Sequence, residues 1–215
     1  MKKIHLICVM SCLWTISVCG LTFGEDIAVR EAPKNMSKAA VDLRAEIRGL
    51  FEARTRLMRS YIVSAMNDTK EAAAEKDELI RNANDLGGSI QPYYGYLAKN
   101  IMAGLLKKDV VITGDVIRAA RSKKAKDIDR AKKKWYANAY LLAGFFALAR
   151  NQSMGDLTDM LYKHLDLTWG EIQAIVDKDE AKSLEYFGED SSHMVMFSEV
   201  LADGIVRQFP EKFKL

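Results

Sequence analysis

The sequence predicts an all-α protein, a helical bundle of four long helices plus short helices. Apolar residues recur every three or four positions from residue 37 onward, a spacing that places them on one side of a helix. The alternating pattern of a β-strand does not occur, and all three prolines stand near predicted helix ends. About 190 residues follow position 24, which is enough for one well-packed core.

The first long helix is predicted to begin at Asn35 or Ser37, since either side chain can cap free backbone amides. The polar run 67–69 ends this helix and starts the second one. The second helix is predicted to run to about Leu86, where Gly87 and Gly88 provide a stop.

A third helix is predicted from a cap at Ser89 or Gln91, with Pro92 in its first position, to about Ala120. In this interpretation 87–89 is a turn between helices, and an anion-binding loop is the alternative. The aromatic residues of 92–96 are predicted to pack in the core, and a ligand cleft is the alternative.

A fourth helix is predicted to start at Ser122 and to end at about Arg150, before a loop at 151–155. A short helix over 157–165 follows it. Thr168 and Glu171 have the spacing of a capping box and predict the start of another short helix that ends near residue 179.

The last long helix is predicted over 181–208, and Pro210 stops it.

The N-terminus is typical of a secretory signal peptide over residues 1–24. Lys2 and Lys3 precede a largely apolar run over 4–18, and cleavage is predicted after Gly24, with Gly20 as the alternative. A flexible tail (25–36) and one helical-bundle domain (37–215) complete the predicted organisation. We therefore expect an exported protein, periplasmic or secreted.

All three cysteines, Cys8, Cys12 and Cys19, lie in the predicted signal peptide. The mature domain is thus expected to be free of cysteine, without disulfides or thiolate metal sites. Cys19 offers an alternative, because lipidation there would anchor the protein to a membrane, although Val18 before it is larger than usual.

Charge and motifs argue against several functional classes. Removal of Lys2 and Lys3 leaves 30 basic and 29 acidic residues, so a nucleic-acid partner is not expected. The basic stretch 118–134 is interpreted as a solvated helix face, with a polyanion-binding patch as the alternative. Nucleotide-binding loops and serine-hydrolase motifs do not occur, so no catalytic residue is assigned.

Two histidines, His164 and His193, remain after the signal peptide. Met160 lies one helical turn before His164, and Met196 and Glu189 each lie about one turn from His193. Imidazole with thioether or carboxylate ligands can bind a transition metal. The favoured interpretation is that the histidines are structural, the methionines fill the core and no cofactor is bound.

A resemblance comes from eight short segments in the same order along the chain. Taken together, they resemble an uncharacterised family of bacterial exported all-helical proteins. The segments, in one-letter code, are IVS (62–64), ELIRN with DLG (78–87), PYYG (92–95), LLK (105–107), WYANA (135–139), HLDLT (164–168), HMVMF (193–197) and GIVRQFP (204–210).

The resemblance implies four histidines on different helices in typical members, at the positions of Arg54, Asp109, His164 and His193. This chain has replaced two of them with a basic and an acidic residue. We therefore hypothesise that Arg54 and Asp109 form an ion pair in a polar core site near His164 and His193. A guanidinium cannot ligate a metal, so any metal affinity of the family is expected to be weaker here.

Three functions are compatible with these observations. The favoured one is a non-enzymatic protein that binds a small ligand or a partner protein. A metal-binding bundle that uses His164 and His193 is the first alternative. An envelope-associated structural protein, anchored through Cys19, is the second.

Overall fold

The computed structural model describes residues 36–148 and 153–214. The predicted signal peptide, the predicted tail up to residue 35 and Cys19 lie outside these residues. The described chain is all-α and has no strand, which confirms the predicted fold class. Its elements are α1 (Lys38–Met66), α2 (Glu71–Ser122), α3 (Ala125–Ala147), α4 (Met154–Val176), α5 (Glu180–Gln208) and a 3-10 turn (Pro210–Lys212).

The helices form a closed arrangement in which each one packs against the next, and α5 packs against α1. Helices α1 and α5 are antiparallel, because residues near the start of one contact residues near the end of the other. Arg44 pairs with Asp203, and Arg59 donates to the Ser183 hydroxyl.

Helix α1 begins where a side chain caps it. The Ser37 hydroxyl accepts a hydrogen bond from the Ala40 amide at 3.3 Å, which satisfies one of the free amides of the first turn. The helix ends at Met66, and Asn67 closes it, as the sequence predicts.

Helix α2 is a helical hairpin that turns at Gly95, where φ is +80°. Its first arm (71–94) packs back on its second arm (96–122). A Cβ atom on Gly87 would lie 2.6 Å from the Lys99 carbonyl oxygen and 3.1 Å from the Ala103 Cβ. In a straight helix, residues 87 and 103 would be about 24 Å apart.

The predicted break at Gly87 and Gly88 is therefore wrong by about eight residues. Gly87 allows two helices to approach closely, which the sequence pattern cannot distinguish from a helix stop. Pro92 lies at the end of the first arm and does not start the second. Ser89 lies inside a helix and donates to the Leu86 carbonyl, so the alternative of an anion-binding loop is wrong as well.

The boundary between α2 and α3 also differs from the prediction. Ser122 ends α2, Lys123 adopts the left-handed conformation with φ +55°, and α3 starts at Ala125. The basic stretch 118–134 thus spans a turn, with exposed cations on both of its sides. Both of its aspartates are paired within it, Asp127 with Arg130 and Asp129 with Lys133.

Helix α4 is one continuous helix where the sequence predicts two. The Thr168 hydroxyl donates to the His164 carbonyl at 2.9 Å, one turn earlier, so Thr168 is a mid-helix residue. The capping-box prediction is wrong because Glu171 binds Arg59 of α1 instead of a backbone amide of its own helix. The start of α4 is capped by Ser153, whose hydroxyl accepts from the Asp156 amide.

The core runs the length of the bundle and draws on all five helices. Phe197 packs edge to face against Phe51 and Phe146, which joins α1, α3 and α5. Among the described residues, no helix is long and apolar enough to cross a membrane. The largest fully buried side chains are Trp135, Phe197, Ile47, Ile62, Leu79, Leu86, Ile90, Met102, Ile117, Leu165, Ile172 and Ile205.

Candidate functional site

A buried ion pair joins α1 to the second arm of α2. Arg54 Nη2 donates to Asp109 Oδ2 at 2.8 Å and to the Leu106 carbonyl at 3.1 Å. The other carboxylate oxygen of Asp109 accepts from the Trp135 indole N–H at 2.8 Å. The ion pair predicted from the sequence is present, and both oxygens of its carboxylate have donors. Trp135 is a member of this site that the sequence analysis did not single out.

A second acid–base contact joins α4 to α5. His164 Nδ1 lies 2.7 Å from Asp190 Oδ1, and the imidazole is 14% exposed. Burial lowers the pKa of His164, but the charge and the hydrogen bond of Asp190, with a smaller contribution from Asp109, raise it above its ordinary value. His164 therefore binds a proton more tightly in the folded protein than in the unfolded chain.

The acidic residue of α5 at this site is Asp190, whereas the sequence pattern predicts Glu189. Asp190 is buried, whereas Glu189 is exposed. The spacing along the sequence also points to Asp190, because it lies three residues before His193 and so shares its face of α5. Only the packing of α5 on α4 shows that this face meets His164.

His193 lies one turn further along the same helix interface and has a different partner. Its Nε2 donates to the Met160 carbonyl at 2.7 Å. The structure thus brings together Arg54, Asp109 and His164, and it places His193 outside the cavity that these three share. The predicted site of four residues is present only as a site of three.

The residues proposed as metal ligands do not converge. Met196 and Glu189 are exposed. Each histidine uses one of its ring nitrogens in a hydrogen bond to another residue of the protein. Across residues 36–148 and 153–214, no group of three or more His, Cys, Asp or Glu side chains is placed to hold a metal ion. The histidines here act as hydrogen-bonding groups between α4 and α5.

A third buried pair lies next to His164. Arg59 Nη1 donates to Glu171 Oε1 at 2.5 Å and to the Ser183 hydroxyl at 3.1 Å, and its guanidinium lies 5.0 Å from the Phe187 ring centre. Burial raises the pKa of Glu171 to about 7, and the charge and the hydrogen bond of Arg59 only partly offset this effect. Glu171 therefore changes its charge near neutral pH.

These three pairs form what we call the buried polar layer. It consists of Arg54, Asp109, Trp135, His164, Asp190, Glu171 and Arg59. Its members come from all five helices, and each ionisable group in it contacts one of opposite charge when both are ionised. The pKa of Glu171 is also affected by Asp190 and His164, so the pairs interact electrostatically.

The polar layer encloses little space. The cavity lined by Arg54, Asp109, Asn138 and His164 has a volume of about 20 Å³. Pockets for organic ligands are usually larger than about 300 Å³. The layer therefore has room for a water-sized molecule and no room for an organic substrate.

A second unusual feature lies on the surface, on the second arm of α2 and the end of α3. Four aliphatic side chains there are between 44% and 73% exposed, and we call them the apolar strip. They are Leu97, Ile101, Leu141 and Leu148.

The register of the two helices explains how the strip is assembled. Asp109 contacts Trp135 and Leu105 contacts Asn138, so the helices are antiparallel and residue 101 lies opposite residue 142. An apolar pocket of about 40 Å³ opens beside the strip. Its lining residues are Ile90, Tyr94, Ala98, Phe145, Phe146, Leu148 and Leu201.

The surroundings of the strip are basic. Segments 91–108 and 132–148, which carry the strip, contain six lysines and no acidic residue. Lys108 on α2 and Lys134 on α3 are exposed. These two segments thus combine exposed aliphatic groups with basic side chains.

Comparison with known proteins adds nothing to these observations, since no family model, curated protein or solved structure matches the chain. The resemblance to the exported helical family stays a prediction. Function is therefore inferred from the residues of this protein.

Proposed function

We propose that the protein is an exported, non-enzymatic helical bundle that binds a partner protein through the apolar strip. The observation that carries the proposal is the exposure of four large aliphatic side chains on two adjoining helices. Exposed apolar patches larger than a few hundred Å² often mark binding surfaces in monomeric proteins.

The partner segment is an amphipathic helix with acidic flanks. A groove between two antiparallel helices accepts the apolar face of a third helix, which would place leucine-like side chains over the strip. The lysines of 91–108 and 132–148 favour acidic residues beside that apolar face. The cavity in the polar layer and the apolar pocket beside the strip, about 20 Å³ and about 40 Å³, are too small for an organic ligand.

Site-specific photo-crosslinking tests the binding surface. A benzoylphenylalanine probe replaces Leu141 in the strip and, as a matched control, Leu184, which is equally exposed on α5. In cells that naturally produce the protein, we expect the probe at 141 to give an adduct with one specific protein that the probe at 184 does not give. The variant Lys107→Glu with Lys108→Glu is expected to reduce that adduct.

Three outcomes would overturn the proposed partner. They are the same adducts from both probes, no adduct from either, and an adduct with a second copy of this chain only. The last result would assign the strip to self-association.

Export is tested separately. The full-length protein is produced in a bacterial host, and the intact mass of the product from the periplasm or the medium is measured. We expect the mass of a chain that begins at Glu25. A mass that matches a chain beginning with a lipid-modified Cys19 would show that the exported protein is anchored to a membrane. An unprocessed chain retained in the cytoplasm would contradict export.

A further inference from the structure

The small cavity in the buried polar layer is lined by a residue with a hydrogen-bond donor and by a residue with an acceptor. Its volume of about 20 Å³ exceeds the roughly 10–15 Å³ that one water molecule needs. Arg54 and Asn138 both line it, and they are 5% and 2% exposed. The remaining wall is largely aliphatic and aromatic.

Two buried atoms of these residues have no hydrogen-bond partner among residues 36–148 and 153–214. They are Arg54 Nη1, which is a donor, and Asn138 Oδ1, which is an acceptor. The orientation of the Asn138 amide is fixed, because its Nδ2 donates to the Leu105 carbonyl at 3.1 Å. A buried polar atom without a partner is destabilising, so a molecule that satisfies both atoms would be held firmly.

His164 supplies a third polar group on the same wall. Its Nδ1 is engaged by Asp190, and Nε2 is the ring nitrogen that this contact leaves free. Residues of three different helices that carry a donor, an acceptor and a titratable ring nitrogen thus line one cavity.

We propose that this cavity is a binding site for one water molecule. The water accepts from Arg54 Nη1, donates to Asn138 Oδ1 and makes its third hydrogen bond with His164 Nε2. A halide would be repelled by the Asn138 oxygen, and a small cation would be repelled by the Arg54 guanidinium. A neutral molecule that both donates and accepts is the ligand class that matches the site.

Oxygen-17 magnetic relaxation dispersion tests the site, because it counts long-lived buried waters. We expect Asn138→Leu, which removes the acceptor and retains the volume, to show one long-lived water fewer than the wild-type protein. Equal counts in the wild-type protein and Asn138→Leu would overturn the proposal.

A second measurement keeps the proposal testable if Asn138→Leu does not fold. Crystals of the wild-type protein soaked in sodium bromide are expected to show an oxygen-sized density peak within hydrogen-bond distance of Arg54 and Asn138, without anomalous signal. An anomalous bromide peak, or an empty cavity at high resolution, would overturn it.

Discussion

The buried polar layer and the apolar strip are opposite exceptions to the usual distribution of side chains. The layer places charges inside the protein, and the strip places aliphatic groups in water. Each ionisable group of the layer has a partner inside the bundle. Asp109, for example, accepts from Arg54 and Trp135. The strip has no such internal complement, since its side chains are exposed by 44% to 73%.

This difference separates a structural role from a binding role. A buried charge is tolerated when it is paired, and the cost of removing its partner then appears in stability. An exposed aliphatic side chain contributes little to stability, and the benefit of burying it appears when another molecule covers it. We therefore expect substitutions in the layer to change folding and substitutions in the strip to change association.

The largest effect is expected for Asp109→Ala. The substitution leaves the Arg54 charge and the Trp135 indole N–H buried without their shared acceptor, which is expected to cost about 3–5 kcal/mol of unfolding free energy. Urea unfolding followed by circular dichroism measures this change.

The control is the double variant Arg54→Met with Asp109→Leu, which removes both charges. We expect it to recover at least half of the loss, although Trp135 stays unpaired. A loss below about 1 kcal/mol for Asp109→Ala, or a double variant no more stable than Asp109→Ala, would contradict the role of the layer.

A pH-dependent effect is expected from Glu171, whose side chain is 4% exposed. Its pKa is raised from 4.5 to about 7, so the folded state holds the proton more tightly and stability is lost as pH rises through this window. The shift corresponds to about 3 kcal/mol. Glu171→Gln should remove this loss and be the more stable protein above pH 7.

The wild-type protein and Glu171→Gln are compared by thermal unfolding from pH 5 to pH 8. The variant should keep the pH dependence that His164 contributes, because the pKa of His164 is also raised and its stabilisation is also lost as pH rises. Parallel pH profiles for the two proteins would show that Glu171 stays ionised in the folded state.

A smaller effect is expected for Gly87→Ala, which tests the hairpin that presents Leu97 and Ile101. The new Cβ would lie 2.6 Å from the Lys99 carbonyl oxygen, so the arms of α2 must separate, at a cost of about 1–3 kcal/mol. Gly88→Ala meets no atom within 4 Å and is expected to be neutral or to stabilise by up to about 1 kcal/mol. Equal stability of the two variants would contradict the close approach of the arms.

Local sequence patterns were sufficient for the fold class and for some of its boundaries. Ser37 and Asn67 bound α1 as predicted, because capping depends on neighbouring residues only. Gly87 was misinterpreted because a glycine at a close helix contact has the same local signature as one at a helix end. Glu171 was misinterpreted because its partner, Arg59, is more than 100 residues away in the chain.

The candidate site was predictable to the extent that it depended on matched charges. Arg54 and Asp109 were paired correctly from the resemblance, whereas Asp190 and the cavity beside Asn138 depend on how three helices pack. The strip was not predicted, because apolar residues at helical spacing usually face the core. Their exposure became evident only once the neighbours of α2 and α3 were known.

The binding role of the apolar strip is tested with Leu141→Glu, and Leu184→Glu on α5 is its matched control. We predict that both variants unfold within about 0.5 kcal/mol of the wild-type protein, because both positions are about half exposed. Only Leu141→Glu should abolish the partner adduct formed by a crosslinking probe at Leu148. If Leu141→Glu lost more than about 2 kcal/mol, or if its adduct were unchanged, the strip would not be the binding surface proposed for this protein.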